Sequence, residues 1–155
     1  MTDGNHHGPW LILAPMGNLP SGWAEHHLLE ALEPTDRVWF LVDSDQILGG
    51  IRLRLRPGGT AADVIGPNVV VDSLSVESAE RGKGYGRLLM EHAERWLLTQ
   101  PDLPHTLSLA VETNNRVAIS LYRSMGYRTL LYDGEARLIR SSTPNTRCYI
   151  MFKDA

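Results

Sequence analysis

The chain has 155 residues, 43% of them apolar, which is enough for one domain with one proper core. With 15 basic side chains against 18 acidic ones the net charge is −3, so no nucleic-acid partner is expected, since such binders carry a basic surplus or stripe. No run approaches the roughly 18 apolar residues of a membrane span, so no membrane partner is expected either.

Met1 to Gly8 is polar and reads as a flexible lead-in without the order of a secretion signal, and a cytoplasmic setting is the default. Trp10 to Ala14 is a short apolar run closed by Pro15 and reads as a strand. Ser21 then looks like an N-cap, with Ala24, Leu28, Leu29 and Leu32 at helical spacing and Pro34 as the stop. Val38 to Val42 and Ile47 to Leu55 read as paired strands joined at Asp43-Ser44-Asp45. Arg52, Arg54 and Arg56 alternate with Leu53 and Leu55, so one face of the second strand is expected to be solvated. Pro57-Gly58-Gly59 breaks the chain before Val69 to Val76, a strand rich in β-branched residues. Asp72 is the one charge inside that strand, and it is costly there unless partnered.

After a glycine-rich turn, Leu88, Leu89, Ala93, Trp96 and Leu97 form an apolar helical stripe, with Glu91, His92, Glu94 and Arg95 outside it. Leu107 to Val111 reads as a strand. Asn114-Asn115 leads into a helix carrying Val117, Ala118, Leu121 and Tyr122 on its apolar side, and Gly126 is placed to close it. Leu130 to Tyr132 and Cys148 to Phe152 supply the last strands, with Cys148 as a small core residue. His26, His27 and His105 read as surface histidines, and no Cys/His cluster suggests a metal. The element order indicates a single α/β (α+β) domain, a mixed sheet with helices packed on it.

The richest stretch is Arg81-Gly82-Lys83-Gly84-Tyr85-Gly86-Arg87. Glycines at alternate positions let backbone N–H groups face a common point. A helix opening from Gly86 adds its unpaired N–H groups and positive end. With Arg81, Lys83 and Arg87 beside them, these groups suit a di-anion such as a pyrophosphate. The P-loop string Gly-x-x-x-x-Gly-Lys-Ser/Thr is absent, and Gly-x-Gly-x-x-Gly fits in neither register.

The pattern that fits is Arg/Gln-x-x-Gly-x-Gly, followed later by Asn115-x-x-Ala118-x-x-Leu121-Tyr122-x-x-x-Gly126-Tyr127. In these two motifs and in element order the chain resembles the GNAT superfamily of acyl-CoA-dependent N-acetyltransferases. The resemblance implies one acetyltransferase domain over residues 9–155, with a mixed, mostly antiparallel sheet of about six to seven strands and about four helices. It implies acetyl-CoA as co-substrate, no metal, and acetyl transfer to a primary amine of a small molecule or peptide by direct attack in a ternary complex. By motif position, Arg81 heads the loop and the amides of Gly82, Lys83, Gly84, Tyr85, Gly86 and Arg87 would hold the coenzyme A pyrophosphate. Leu74, Ser75 and Val76 would bond the pantetheine arm, with the Val76 amide near the thioester carbonyl. Asn115 would touch the pantetheine side. Tyr122 matches the general acid, because a phenol is largely protonated at neutral pH and can protonate a leaving thiolate.

A general base is less legible. An alkylammonium acceptor, with a pKa near 10.4 in water, must lose a proton before attack. The positions where family members carry a base glutamate hold Val70 and Ala110 here. Asp72 ranks first as a substitute, on the expectation that it shares a strand face with Val70, Leu74 and Val76. A structural Asp72 bonded to a neighbouring backbone group or an Arg is the competing reading. Glu77 and Glu112 are strand-end candidates that read rather as solvated caps, and a chain of waters is a further route. By resemblance, the acceptor is selected by Pro15 to Pro34, including Trp23, His26 and His27, and by Asp133 to Thr146. Homodimerisation through the sheet edge at the last strands is compatible with it. Two other functions stay open: a non-catalytic acyl-CoA-binding sensor, and an acetyltransferase for a protein N-terminus or lysine.

Overall fold

A computed structural model describes residues 10–14, 26–55 and 68–155. The strands β1 (Trp10–Ala14), β2 (Arg37–Asp43), β3 (Gln46–Arg54), β4 (Val69–Val76) and β5 (Thr106–Glu112) lie side by side in chain order. Two short strands, β6 (Arg128–Thr129) and β9 (Leu138–Arg140), share the outer edge of β10 (Arg147–Asp154), which itself pairs with β5. Between them, β7 (Leu131–Tyr132) and β8 (Glu135–Ala136) form a separate hairpin. One pair in the sheet is parallel, β4 with β5, and the crossover between them carries the helix α1 (Tyr85–Leu98). The second helix, α2 (Arg116–Ser124), connects β5 to β6.

The mixed, mostly antiparallel architecture is as expected, but the described residues hold two α-helices rather than four. The helix expected from Ser21 begins outside the described residues. Its described part is a single 3-10 turn, His27–Leu29, after which Glu30 is extended and Ala31 turns to a φ of 51°, so no helical ladder can continue.

Both helices cover one face of the sheet. The apolar stripe of α1, Leu89, Met90, Ala93 and Leu97, packs with Ile119 and Tyr122 of α2 against Leu41, Ile51, Leu53, Val71 and Leu109. Val117 does not join this stripe: it is 85% exposed. The opposite face is thinner. There the 3-10 turn lowers Leu28 onto Val38, Phe40 and Val42.

A β-bulge in β4 decides which side chains share a face. Arg52 lies opposite Ser73 and Leu53 opposite Val71, so Asp72 is the extra residue and the alternation shifts by one. Val69 and Val71 before it, and Leu74 and Val76 after it, therefore all face the helices. Asp72 faces the other way, toward Arg52.

Candidate functional site

Gly82 and Gly84 have φ of 81° and 83°, the left-handed region that costs a side-chain-bearing residue about 1–2 kcal/mol. A Cβ on either would meet nothing within 4 Å, so backbone conformation, not crowding, calls for glycine here. Gly86 serves packing instead: its Cβ would sit 3.4 Å from Leu121 of α2. The helix opens at Tyr85, one residue earlier than expected, with Gly84 as N-cap and its first bond from the Leu88 N–H to the Gly84 carbonyl at 3.1 Å. Among the described residues the amides of Gly82 through Arg87 meet no protein acceptor. Six N–H groups at a helix N-terminus thus stay available to an anion.

The loop cations are tethered rather than loose. Lys83 pairs with Glu80 at 3.1 Å, Arg81 donates through Nε to the Val76 carbonyl at 3.3 Å, and Arg87 donates to the Ser124 hydroxyl. Arg87 and Ser124, with Arg116, Val117, Ser120 and Leu121, line an open groove of about 530 Å³ between α1 and α2. Val117, 85% exposed, and Leu121 are the apolar residues of its lining.

Loop, groove and β4 meet at Gly86, where a Cβ would lie 3.4 Å from Leu121 and 3.9 Å from Leu74, beside a gap in the sheet. The parallel ladder joins Val69–Val71 to Leu107–Leu109 and stops. Beyond it β4 follows β3 to Val76 while β5 follows β10 to Glu112, so the two strands part. Glu77 donates its N–H to the Leu48 carbonyl at 2.8 Å, on the β3 side. Peptide groups alternate sides along a strand, so the N–H groups of Val76 and Leu74 turn into the gap, while Ser75 turns toward β3.

Asn115 caps α2, its side chain accepting from the Ala118 N–H at 3.2 Å. At the other end the Tyr127 N–H reaches the Tyr122 carbonyl and the Gly126 N–H the Arg123 carbonyl, both at 3.0 Å, around Gly126 at φ 97°. This Schellman closure sets the Tyr122 and Tyr127 rings 5.9 Å apart. Tyr122 is buried, and burial pushes its phenol above the ordinary value, favouring the protonated form. Tyr127 is fixed by its hydroxyl to Glu94 at 2.8 Å, and Lys153 holds that carboxylate at 2.9 Å.

Asp72 does not share a face with Leu74 and Val76, because the bulge turns it away. One of its oxygens, Oδ2, takes both Nε and an Nη of Arg52, with Arg54 3.9 Å from it. Arg52 also donates to the carbonyls of Leu28 and Glu30 at 3.1 and 2.6 Å, and Arg54 forks onto buried Asp36 at 3.2 and 3.0 Å. The supposedly solvated arginine face is therefore an ion-pair network that fastens the 3-10 turn to the sheet; Arg56 lies outside the described residues. Trp23 also lies outside them. His105 and His27 are exposed, whereas His26 is half-buried, stacked on His27 and edge-on to Phe40. Sequence reasoning missed Asp36, whose only signal was an acid directly before an apolar strand, and missed the approach of His26 to Glu77, which nothing local announces.

The sequence profile of the Acetyltransferase (GNAT) family matches residues 9–127. The chain belongs to this family. Among solved structures, a GCN5-related N-acetyltransferase from Kribbella flavida is similar over 79% of this chain and 70% of its own, with 23% identity and a TM-score of 0.59. The ribosomal-protein-S18-alanine N-acetyltransferase from Escherichia coli matches over 78% and 70%, with 20% identity and a TM-score of 0.59. Arabidopsis thaliana Naa50, solved with the bisubstrate analogue CoA-Ac-MVNAL, matches over 76% and 72%, with 24% identity and a TM-score of 0.59. At these identities the likeness is one of fold. A comparison with curated proteins gives no match. No described helix is long and apolar enough to cross a membrane.

Proposed function

We propose that this chain moves an acetyl group from acetyl-CoA to a primary amine of a small molecule or peptide, by direct attack within a ternary complex. The observation that carries this reading is the continuity of three features: the open-space glycine turn with free amides, the groove between α1 and α2, and the unpaired edge of β4. A diphosphate fits the first and a pantetheine arm the last, so the residues present suit coenzyme A. When bound, acetyl-CoA supplies the activated acyl carbon and a thiol leaving group.

The chain's own residues then have distinct tasks. Gly82 through Arg87 bind the diphosphate through backbone N–H groups, headed by Arg81 and with Lys83 adding charge beside them. Leu74 and Val76 present peptide groups to the arm, with Ser75 between them facing β3, and Asn115 faces it from the cap of α2. The Val76 N–H, turned into the gap, donates to the oxygen on which negative charge grows during attack. Tyr122, kept protonated by burial, gives its hydroxyl proton to the departing sulfur. Two of the similar folds are named or solved with peptide-type acceptors, so peptide α-amines belong beside small amines among the acceptors to test.

The test is thiol release from acetyl-CoA by the purified protein over a panel of small amines and short peptides, with coenzyme A titrated separately. Thiol release that depends on one class of amine supports the reading. Tight coenzyme A binding with no amine-dependent release would leave a sensor module instead.

A further inference from the structure

We infer that Glu77 is the group that takes the proton from the acceptor amine, and that His26 positions it. The inference rests on the acetyltransferase reading above. Among the described residues, three carboxylates flank the mouth of the β4–β5 gap on the face opposite the helices: Asp72, Glu77 and Glu112. Val76 and Val111 point to the helical core, so their successors Glu77 and Glu112 point to the other face, where the bulge also sends Asp72. Groove, loop and both helices occupy the first face, which leaves the second for the amine.

Two of the three are engaged. Asp72 is gripped by Arg52 with Arg54 nearby. Glu112 accepts from the Ser141 hydroxyl, which is itself bonded by the Thr143 N–H at 3.0 Å, and these contacts hold its carboxyl below the usual range, making it a poor proton acceptor. Glu77 has no such clamp among the described residues. Its carboxylate lies 3.8 Å from His26 Nε2; His27 stacks on His26 at 4.4 Å, and Arg81 is occupied by the Val76 carbonyl. It also follows directly on Val76, whose N–H faces the acyl oxygen in the proposed complex.

The geometry of His26 explains how it could aim this carboxylate. Its Nδ1 accepts the Leu28 N–H at 3.2 Å, so the neutral ring carries its proton on Nε2, the nitrogen that faces Glu77. Phe40 and His27 hold the ring from two sides. In the transfer, the amine nitrogen bonds to the acyl carbon and the carbon–sulfur bond breaks. Glu77 takes a proton from nitrogen, and Tyr122 supplies one to sulfur.

The experiment compares Glu77→Gln and His26→Asn with the wild type in the amine panel, recording kcat, KM and coenzyme A affinity across pH. Gln keeps the shape of Glu, and Asn keeps an acceptor for the Leu28 N–H while removing the nitrogen that faces Glu77. For Glu77→Gln we expect unchanged coenzyme A affinity and kcat lower by about 10²–10⁴-fold at neutral pH, with the deficit shrinking as pH rises and for amines already unprotonated at neutral pH. For His26→Asn we expect roughly a tenfold loss in kcat with the coenzyme A site intact. If the wild type turns over an amine and Glu77→Gln keeps its rate and pH profile, the assignment is overturned while the acetyltransferase reading stands. A wild type that binds coenzyme A but acetylates no amine overturns both.

Discussion

Replacing Gly84 by Ala and by Asp separates the conformational role of the loop from its electrostatic one. At φ 83° an added Cβ meets nothing within 4 Å, so Gly84→Ala carries only the left-handed backbone penalty of about 1–2 kcal/mol. For a domain of this length that corresponds to a fall in melting temperature of roughly 2–8 °C. Coenzyme A affinity should stay within about tenfold of wild type, since the amides need not move far. Gly84→Asp adds a carboxylate where the diphosphate is to sit. Unit charges 4 Å apart repel by about 1 kcal/mol in water and about 4 kcal/mol at an effective dielectric of 20. The loop is exposed, so about 1–3 kcal/mol is reasonable, a further loss of roughly 5–150-fold beyond the Ala variant. That extra loss should shrink as salt is raised, whereas the Ala effect should not. A carboxylate at a helix N-terminus favours the helix, so Gly84→Asp should melt no lower than Gly84→Ala despite binding less. Calorimetric titration with coenzyme A at two salt concentrations, alongside thermal melts, reads all of this. Equal affinity of the Ala and Asp variants at low salt would refute a diphosphate at this turn.

Other outcomes follow from neighbouring contacts. Tyr122→Phe should bind acetyl-CoA normally and turn over about 10²–10⁴-fold more slowly if proton delivery to sulfur limits the rate; stopped-flow or steady-state thiol release decides it, and an unchanged rate removes Tyr122 as the acid. Burial raises the phenols of Tyr122 and Tyr127, the latter helped by Glu94, so both hold their protons more tightly folded than unfolded. Their contribution to stability is complete below the unfolded value of about 10 and is lost as pH rises past it, so melting temperature should fall above roughly pH 10 and not before on their account. Asp36→Ala removes a fully buried carboxylate from Arg54 and from the Glu33 N–H, leaving the guanidinium with Asp72 3.9 Å away and no hydrogen-bonded carboxylate among the described residues. Because Arg54 keeps some access to water, the cost should be about 2–4 kcal/mol by denaturant titration, and less than about 1 kcal/mol would argue against a structural network.

Local rules carried the reading where a residue's role is set by its chain neighbours. Gly82 and Gly84 need a left-handed backbone, Gly126 closes α2, and the stripe of α1 needs only helical spacing; all three are visible in a one-dimensional pattern. The strand bounds of Val69–Val76 were legible for the same reason. Asp72 was misplaced because simple alternation assumes an unbroken ladder, and a single bulge reverses it. Val117 stands at apolar spacing with Ala118, Leu121 and Tyr122 yet is 85% exposed, because helical spacing gives a face without saying what that face meets. The arginines of β3 read as solvated from the sequence because their partners, Asp36 and Asp72, come from separate strands and connections.

The amino-acid order alone determined the family's two motifs, the left-handed glycine turn and the strand–helix–strand frame around it, since each depends on backbone conformations that neighbouring residues dictate. Tertiary structure decided which carboxylates are free. Asp72, Glu77 and Glu112 look alike in one dimension, and only the meeting of distant segments occupies the first with Arg52, the last with Ser141, and brings His26 to the one between.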